Sequence, residues 1–356
     1  MRSLFQRAST PVLGVDVSPS AIKVVELARL RGGAFVLRHC AIEPLARGWV
    51  AADGVFDAFE AIAAALRRAV LRSGSRARQA VLALPSSGVL TRRIVLPASL
   101  HGPALAARVE AEASQSMPFP VEDVSLDFYP ADAPDLAADS QAIWVAACRR
   151  DRVQDCAGLA EAASLEATVV DVDSHAARRA AWRLAQATGV AAASHWALVE
   201  IGARRTTLHV LQGDEVLHER DHAFGGESLT QRLAGHYGFT PEEAERQKRE
   251  AGLPDDVGRT VLPPYHQALA HDIARGLREW LTAVPASPIR QILLAGGGAA
   301  PVGLAQTLAA LTACDCRRAD PFAGMTLGPG VDAEALHAQA PSYLTACGLA
   351  LRGLGA

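Results

Sequence analysis

The sequence predicts an α/β protein built from two related lobes. Two stretches carry this prediction: Leu13–Leu27 and Leu198–Leu211 each contain a hydrophobic strand with one acidic residue near its end, a tight polar turn and a second alternating strand. A chain of 356 residues is too long for one compact core and fits two lobes of ordinary domain size. With 50% hydrophobic and 21% charged residues, it can bury such cores. The repeated hairpin therefore predicts two half-domains that face one ligand.

In the first copy, apolar residues favour strands on both sides of the turn Ser18-Pro19-Ser20. Gly14 permits the close approach of another backbone segment. Asp16 lies beside the turn, where a carboxylate can hold a hydrated metal ion. Successive unpaired amides in such a turn form nests that bind phosphate oxygens. The alternative is an ordinary hairpin whose acid faces water.

The second copy repeats the pattern with Glu200, Gly202 and Thr206-Thr207. The lysines strengthen the nucleotide interpretation. Of 35 basic residues only Lys23 and Lys248 are lysines, and both fall inside candidate nucleotide motifs. Lysine is a compact charge on a flexible stem, which suits it to reach a phosphate or a ribose.

The first lobe is expected to continue with further elements predicted from periodicity, namely a third strand at Ala34–Ile42, a helix at Phe56–Leu71 and a strand at Val81–Leu84. The strand Thr168–Val172 returns to this lobe, and Ser174 is predicted to cap a helix that runs to Ala187. The polar cluster from Asp171 to His175 fits a cap better than a nucleophile with its base, because no G-x-S-x-G elbow accompanies it.

An insertion is predicted between these parts of the first lobe. Its expected elements are the strand Val89–Leu96, the helix Ala104–Ser116, the strands Ser125–Tyr129 and Ala142–Cys148, and the helix Arg152–Ala163. The predicted divisions of the chain are residues 1–85 for the first lobe, 86–166 for the insertion, 167–195 for the return and interlobe helix, 196–320 for the second lobe, and 321–356 for a C-terminal segment that packs on the first lobe.

Composition excludes several classes of protein. A net charge of −3 gives no basic field, and no basic run is interleaved with aromatic residues, so nucleic-acid binding is not expected. Residues 1–11 are too polar for a signal-peptide core. The six cysteines form no CxxC pair and are expected to be reduced thiols. These features predict a cytoplasmic protein.

Several motifs together resemble the actin, sugar kinase and Hsp70 ATPase superfamily, and within it the type IV pilus assembly PilM family, whose relatives include FtsA. The two hairpins match the phosphate motifs of that superfamily. Two further motifs match its nucleoside-binding segments. One is Gly225-Gly226-Glu227 followed by a helix and then Ala244–Lys248, and the other is Ile292–Gly298. Three more resemble the PilM family in particular, namely Glu110–Val124, Asp320–Met325 and Cys347–Arg352.

The resemblance implies a two-lobed actin-like (ribonuclease H-like) ATPase fold with an FtsA-type 1C insertion. It also implies that ATP and Mg²⁺ bind between the lobes, with Asp16 and Glu200 as catalytic residues that orient the metal through water. The residues implied to bind the nucleotide are Gly14, Val17, Ser18, Ser20, Lys23, Gly202, Ala203, Thr206, Gly225, Gly226, Glu245, Lys248, Gly296, Gly297 and Gly298. Glu200 stands where the family has Asp, and Arg204 and Arg205 stand where it has small residues, so hydrolysis is expected to be slow or absent.

Three functions follow from the resemblance. The first is a cytoplasmic scaffold of type IV pilus assembly that binds the N-terminal tail of the inner-membrane protein PilN and reaches the membrane through partners of this kind, with self-association left open. The alternatives are a PilM-like protein of an MSHA pilus or type II secretion system, and a sugar or metabolite kinase. The tail is expected between the insertion and the first lobe. Its candidate lining residues are Val89, Ile94, Leu96, Val109, Ala113 and Phe119, and helical spacing fits a core position for several of them equally well.

Overall fold

The computed structural model describes residues 11–51, 53–115, 120–131, 136–249, 252–284 and 288–355. The chain folds into two lobes, each built on one mixed sheet, and a smaller three-stranded sheet. Each of the six cysteines is a free thiol. None of the helices in the described residues is both long and apolar enough to cross a lipid bilayer.

The first lobe begins with three antiparallel strands, a helix and a parallel strand. These elements are β1 (Val12–Ser18), β2 (Ala21–Arg29), β3 (Phe35–Pro44), α1 (Phe59–Ser73) and β4 (Gln79–Leu84). Strand β1 is buried from Val12 to Val15 and β2 from Ala21 to Ala28, because both are interior strands of the sheet and most of their residues are apolar. Helix α1 starts at Phe59, three residues after the predicted start at Phe56, because Phe56 forms an isolated β-bridge with Val50.

The insertion follows a short 3₁₀ turn at Ser86–Gly88. Its elements are β5 (Val89–Pro97), α2 (Gly102–Ser114), β6 (Val124–Ala131), β7 (Ser140–Arg149) and α3 (Arg150–Ala162). The three strands form an antiparallel sheet in the order β5-β7-β6. Helix α3 packs instead with α1 in the core of the first lobe, through Cys156, Leu159 and Ala160. The limits of the insertion, 86 and 166, stay a prediction.

The chain then returns to the first lobe through β8 (Glu166–Val172) and crosses to the second through α4 (Asp173–Ala187). The prediction that Ser174 caps α4 is wrong. The helix begins at Asp173, so Ser174 lies inside its first turn, and Val172 at the N-cap position makes no side-chain capping hydrogen bond. Instead, the Asp173 carboxylate accepts a hydrogen bond from the Ser174 amide at 2.6 Å.

The second lobe repeats the topology of the first. Its elements are β9 (His195–Ile201), β10 (Thr206–Gln212), β11 (Glu215–His222), α5 (Gly226–Tyr237), α6 (Pro241–Arg249), α7 (Val257–Thr260), α8 (Leu262–Ala283), β12 (Ile289–Ala295), α9 (Leu304–Thr312) and β13 (Asp315–Arg318). The sheet order β11-β10-β9-β12-β13 matches β3-β2-β1-β4-β8 strand for strand. In both sheets the first strand pairs antiparallel with the second and parallel with the fourth. The duplication predicted from the two hairpins is present.

The chain ends on the first lobe with β14 (Thr326–Leu327), α10 (Ala333–Gln339) and α11 (Leu344–Gly353). Strand β14 extends the first sheet beside β3. Helix α11 lies against α4, where a Cβ at Gly348 would come within 1.8 Å of the Ala176 carbonyl oxygen. The core around these two helices also contains Trp196 and Leu198 of the second lobe, so it joins the lobes behind the hairpins.

Candidate functional site

Asp16 and Lys23 form a cross-strand ion pair in the first hairpin. The register of β1 and β2 places them opposite each other. The Lys23 Nζ atom lies 3.0 Å from Asp16 Oδ2, and both side chains are largely buried. The ammonium also donates to Ser18 Oγ at 2.6 Å. This network fixes a lysine beside the turn at which a phosphate is predicted.

The turn between β1 and β2 faces the second lobe. The Ser20 carbonyl accepts a hydrogen bond from the Leu45 amide at 3.0 Å and another from the Arg249 guanidinium at 3.3 Å. Arg249 ends α6 of the second lobe. The predicted phosphate-binding turn is therefore attached directly across the cleft.

Two predicted binding residues of β1 have other contacts. Gly14 lies within the strand, and a Cβ there would come within 2.1 Å of the Ala346 carbonyl oxygen, so the packing of α11 explains this glycine. Val17 lies against the insertion side of the lobe, in a pocket with Phe56 and Pro85. For both residues, a role toward a nucleotide stays a prediction.

The turn of the second hairpin is held by the start of α5. The Gly226 amide donates to the Gly202 carbonyl at 2.9 Å, and the Glu227 amide donates to the Ala203 carbonyl at 2.7 Å. A Cβ at Gly225 would come within 2.6 Å of the Gly202 oxygen, so the close approach requires glycine at that position. The predicted residues of the turn and of the Gly-Gly-Glu segment thus form one unit.

The two arginines of this turn are bound to acidic residues. Arg204 Nε lies 3.1 Å from a carboxylate oxygen of Glu227 on α5, and Arg205 lies 3.3 Å from Asp221 on β11. Arg47, from the segment after β3, also pairs with Glu227. Glu227 therefore joins the first lobe to the second hairpin at the edge of the cleft.

Glu200 is paired with a buried histidine. His209 Nε2 lies 3.3 Å from Glu200, and its Nδ1 lies 3.2 Å from Glu219 on β11. Burial disfavours the imidazolium, but the two carboxylates outweigh it and raise the pKa of His209 to about 9. The ring therefore carries a positive charge at neutral pH. Both acids predicted to orient a metal, Asp16 and Glu200, thus have a cationic side chain beside them.

Thr206 turns its side chain into the lobe. It is fully buried, and its hydroxyl donates to the Phe224 carbonyl at 2.7 Å. Any contact with a ligand is therefore left to its backbone.

Glu245 and Lys248 meet on the α6 side of the cleft. Lys248 Nζ lies 2.6 Å from Glu245 Oε2, and both groups hydrogen-bond the Thr230 hydroxyl. The ammonium also donates to the Gly226 carbonyl at 3.2 Å. Burial lowers the pKa of Lys248 although the carboxylate opposes this shift. The pair is thus tied to the Gly-Gly-Glu segment.

The glycine loop after β12 lies against the second hairpin. Gly296 has a φ of 83°, and a Cβ there would come within 2.4 Å of the Ile201 carbonyl oxygen. A Cβ at Gly298 would come within 2.2 Å of the Ile201 side chain, whereas at Gly297 the nearest atom would be Ser342 Oγ at 3.8 Å. Gly298 Cα and Lys248 Nζ both lie 3.8 Å from the position of a Cβ at Gly226. The predicted nucleoside residues are thus brought together.

Asp173 is a member of the site that the sequence motifs missed. Burial and the negative charges of Glu200 and Asp16 raise its pKa to about 7, although a hydrogen bond from the Ser86 amide opposes the shift. Three carboxylates therefore act on each other where the two hairpins meet the start of α4. The sequence signal that could have identified Asp173 was its position directly after a predicted strand and before a helix, because the carboxyl ends of strands in α/β sheets face ligands.

The arrangement can hold a nucleotide with a hydrated cation. It offers an ammonium, backbone turns, a glycine loop and three carboxylates whose charges act on one another. Within the ranges that the structure describes, no three His, Cys, Asp or Glu side chains cluster closely enough to cage a metal ion. A divalent cation would therefore keep water and phosphate oxygens among its ligands.

A second candidate site lies between the first lobe and the insertion. This pocket has an apolar lining, to which Val17, Phe56, Leu84, Pro85 and Cys156 contribute, and charged residues at its rim, namely Asp53, Arg152 and Asp155. Arg152 and Asp53 approach to 3.4 Å across it.

Most residues predicted to line this groove lie elsewhere. Leu96, Val109 and Ala113 are buried in the core of the insertion with Ile143 and Val145, so their predicted contact with a tail is wrong. Their alternation and helical spacing serve that core instead. Ile94 is half-buried against the same cluster and Val89 against the core of the first lobe, while Phe119 lies outside the described residues.

The family described as type IV pilus assembly protein PilM matches residues 14–354. A structure of the PilM-PilN type IV pilus biogenesis complex is 28% identical in sequence, with 96% of this chain and 98% of that chain covered and a TM-score of 0.76.

The ethanolamine utilization protein EutJ from Carboxydothermus hydrogenoformans is 17% identical, with 95% of this chain and 88% of that chain covered and a TM-score of 0.55. The predicted two-lobed actin-like fold is confirmed.

Proposed function

This chain belongs to the type IV pilus assembly protein PilM family, and from that premise we propose that it is a nucleotide-binding scaffold of type IV pilus assembly that binds the N-terminal tail of a PilN protein. The observation that carries the proposal is the likeness to the PilM-PilN complex over nearly the full length of both chains. This likeness favours pilus assembly over a sugar or metabolite kinase. The family resemblance implies that PilN is an inner-membrane protein, so the scaffold would act at the cytoplasmic face of that membrane.

The tail is proposed to bind in the pocket between the first lobe and the insertion. Its apolar lining suits the side chains of a short extended peptide. Asp155, exposed at the rim, offers a carboxylate to the amino group at the start of the tail. Phe56 and Pro85 belong to the first lobe and Gly88 to the turn that opens the insertion, so an occupant would contact elements on both sides.

The nucleotide is proposed to be ATP with Mg²⁺, held between the two hairpins. ATP·Mg²⁺ would supply the phosphate chain and the metal charge. Lys23 would neutralise phosphate charge, and Asp16 and Glu200 would accept hydrogen bonds from metal-bound water. Glu245, Lys248 and the glycine loop would receive the nucleoside. Support comes from the assembly of these residues, predicted separately from four motifs, around one cleft.

The decisive experiment measures binding of a fluorescent peptide copied from the cognate PilN tail to the full chain by fluorescence anisotropy. We expect saturable binding, weakened at least tenfold by Asp155→Lys, because the substitution places a positive charge opposite the amino group of the tail. Asp139→Lys, an equally exposed position in the insertion outside the pocket, should bind like the wild type. No saturable binding, or equal loss in both variants, would overturn the proposal.

A further inference from the structure

The chain from α1 of the first lobe into the insertion has an unusual charge distribution. Residues 61–109 include eight arginines and neither Asp nor Glu, although the net charge of the whole chain is −3. Five of these arginines cluster at the C-terminal end of α1 and in the segment that leads to β4. Together with one leucine they form a surface that we name the arginine face, namely Arg67, Arg68, Leu71, Arg72, Arg76 and Arg78, all exposed.

The acid that binds two of these arginines, Glu43, is buried beneath the face. Glu43 pairs with Arg68 at 2.7 Å and with Arg72 at 2.9 Å. Its side chain is 6% exposed, whereas those of Arg68 and Arg72 are 52% and 58% exposed. A guanidinium has five N–H donors, so each arginine keeps donors directed to solvent while it holds Glu43. The buried acid therefore orients the two arginines and leaves the outer surface positive.

Two exposed acids border the face. Glu161 lies next to Ala162, whose carbonyl accepts a hydrogen bond from Arg67, and the Glu166 amide donates a hydrogen bond to the Arg78 carbonyl. The buried Glu26 accepts a hydrogen bond from the Ser75 hydroxyl in the same segment. With Glu43, Glu26 and the two exposed acids counted against five arginines, the surface stays net positive.

Leu71 stands among these charges. Its exposed fraction, 83%, is the highest among the large hydrophobic residues that are exposed in the described ranges. It lies one helical turn from Arg67 and directly precedes Arg72. An apolar side chain surrounded by guanidinium groups matches an interface whose outer layer is anionic and whose interior is hydrocarbon.

We propose that the arginine face docks on anionic phospholipid headgroups, with Leu71 entering the acyl boundary. The positive charge of the face and its central leucine support this assignment. The proposed orientation of the protein on the membrane rests in part on the proposed function. Helix α1 starts beside Phe56 of the tail pocket and ends at the arginine face, about 22 Å away over its 15 residues. Both sites thus belong to one helical layer that could face the membrane from which the tail emerges.

The expected affinity is modest. Each arginine close to an anionic surface favours binding by roughly fivefold, and the effect falls off within about 10 Å at 0.1 M salt. A face of this size gives reversible binding by itself. Combined with a tethered tail, it would raise the effective affinity because the second contact becomes intramolecular.

The test is flotation of the purified full chain with vesicles of phosphatidylglycerol and phosphatidylethanolamine, compared with phosphatidylcholine. We expect binding to the anionic vesicles alone and its loss at high salt. The double variant Arg76→Gln/Arg78→Gln should bind about 25-fold more weakly, from two arginines at roughly fivefold each. Leu71→Asp should also lose binding. The control Arg259→Gln/Arg278→Gln changes two exposed arginines of the second lobe and should bind normally.

Each variant is also titrated with the tail peptide. Unchanged peptide binding shows that the chain is folded and separates failure of the lipid contact from failure of the tail site. No flotation of the wild type, or equal loss in the control pair, would overturn the lipid assignment. Binding of soluble polyglutamate in the absence of any flotation would identify an acidic protein segment as the occupant instead.

Discussion

The Asp173 carboxylate accepts a hydrogen bond from the Ser86 amide at 2.8 Å. Asp173 starts α4, where Asp16 and Glu200 act on its charge, and Ser86 opens the insertion directly after Pro85 of the tail pocket. One carboxylate thus belongs to the candidate nucleotide site and holds the backbone beside the candidate peptide site. A ligand that breaks or strengthens this hydrogen bond at one site therefore changes the other site, and the coupling between the two binding affinities is reciprocal.

Asp173→Asn should stabilise the protein above neutral pH. The pKa of Asp173 is raised from 3.8 to about 7, so the folded state holds a proton that the unfolded state releases between these values. Stability contributed by this group therefore falls as pH rises from about 4 to about 7. Asn keeps an acceptor for the Ser86 amide without the charge, and one pKa unit corresponds to about 1.4 kcal/mol, so the gain at pH 8 is a few kcal/mol at most.

Urea unfolding at pH 4, 6 and 8 measures this effect. The advantage of Asn should grow from pH 4 to pH 7 and then level off. Asp171→Asn is the matched control, because Asp171 pairs with Arg179 at 3.3 Å and its loss should not stabilise the fold. An Asp173→Asn variant that is less stable than the wild type at pH 8 would contradict the assignment.

His209→Gln should remove a pH-dependent source of stability. The folded pKa of His209, about 9, lies above the ordinary 6.5. The charged pair therefore contributes fully below pH 6.5, and its contribution is lost as pH rises through about 9. Glu200 and Glu219 are 24% and 50% exposed. Solvent screening therefore limits the loss of unfolding free energy in His209→Gln to about 1–2 kcal/mol at pH 7.

Thermal unfolding from pH 6 to pH 10 follows the His209 contribution. The Tm difference between wild type and His209→Gln should shrink toward pH 10. His337→Gln, whose side chain is 77% exposed on α10, serves as the control and should show little difference. A constant offset at every pH would mean that the ring acts by packing alone.

The two hairpins were predictable because their information is local. Alternating apolar residues, a polar turn and a glycine run are visible within 15 residues of sequence. His209 and Asp173 were not predictable in the same way. His209 acquires its charge from Glu219 on a neighbouring strand, and Asp173 acquires its environment where α4 meets both lobes. Such neighbours are set by tertiary structure, which also decides that Val109 lies in the core of the insertion and not in the groove.

Gly297→Val should abolish adenine-nucleotide binding without unfolding the chain. A Cβ at Gly297 has no closer neighbour than Ser342 Oγ at 3.8 Å, so the fold can accept it while the side chain fills the space proposed for the nucleoside. Gly298→Val is the contrasting variant, because its Cβ would come within 2.2 Å of Ile201 and should destabilise the lobe. Calorimetric titration with ATP·Mg²⁺ and a Tm measurement separate the two effects. Wild-type binding by a folded Gly297→Val variant would remove the glycine loop from the site.

Hydrolysis of ATP should be very slow or absent. Glu200 is one methylene longer than the aspartate of the family, and His209 lies 3.3 Å from its carboxylate. A water positioned by this group would be displaced by about 1 Å, and a misplacement of that size can cost on the order of 100-fold in rate. Steady-state phosphate release by the wild type should therefore match that of Asp16→Ala, which lacks the other predicted metal-orienting acid. Rapid release by the wild type that disappears in Asp16→Ala would show that Glu200 positions water productively despite its length.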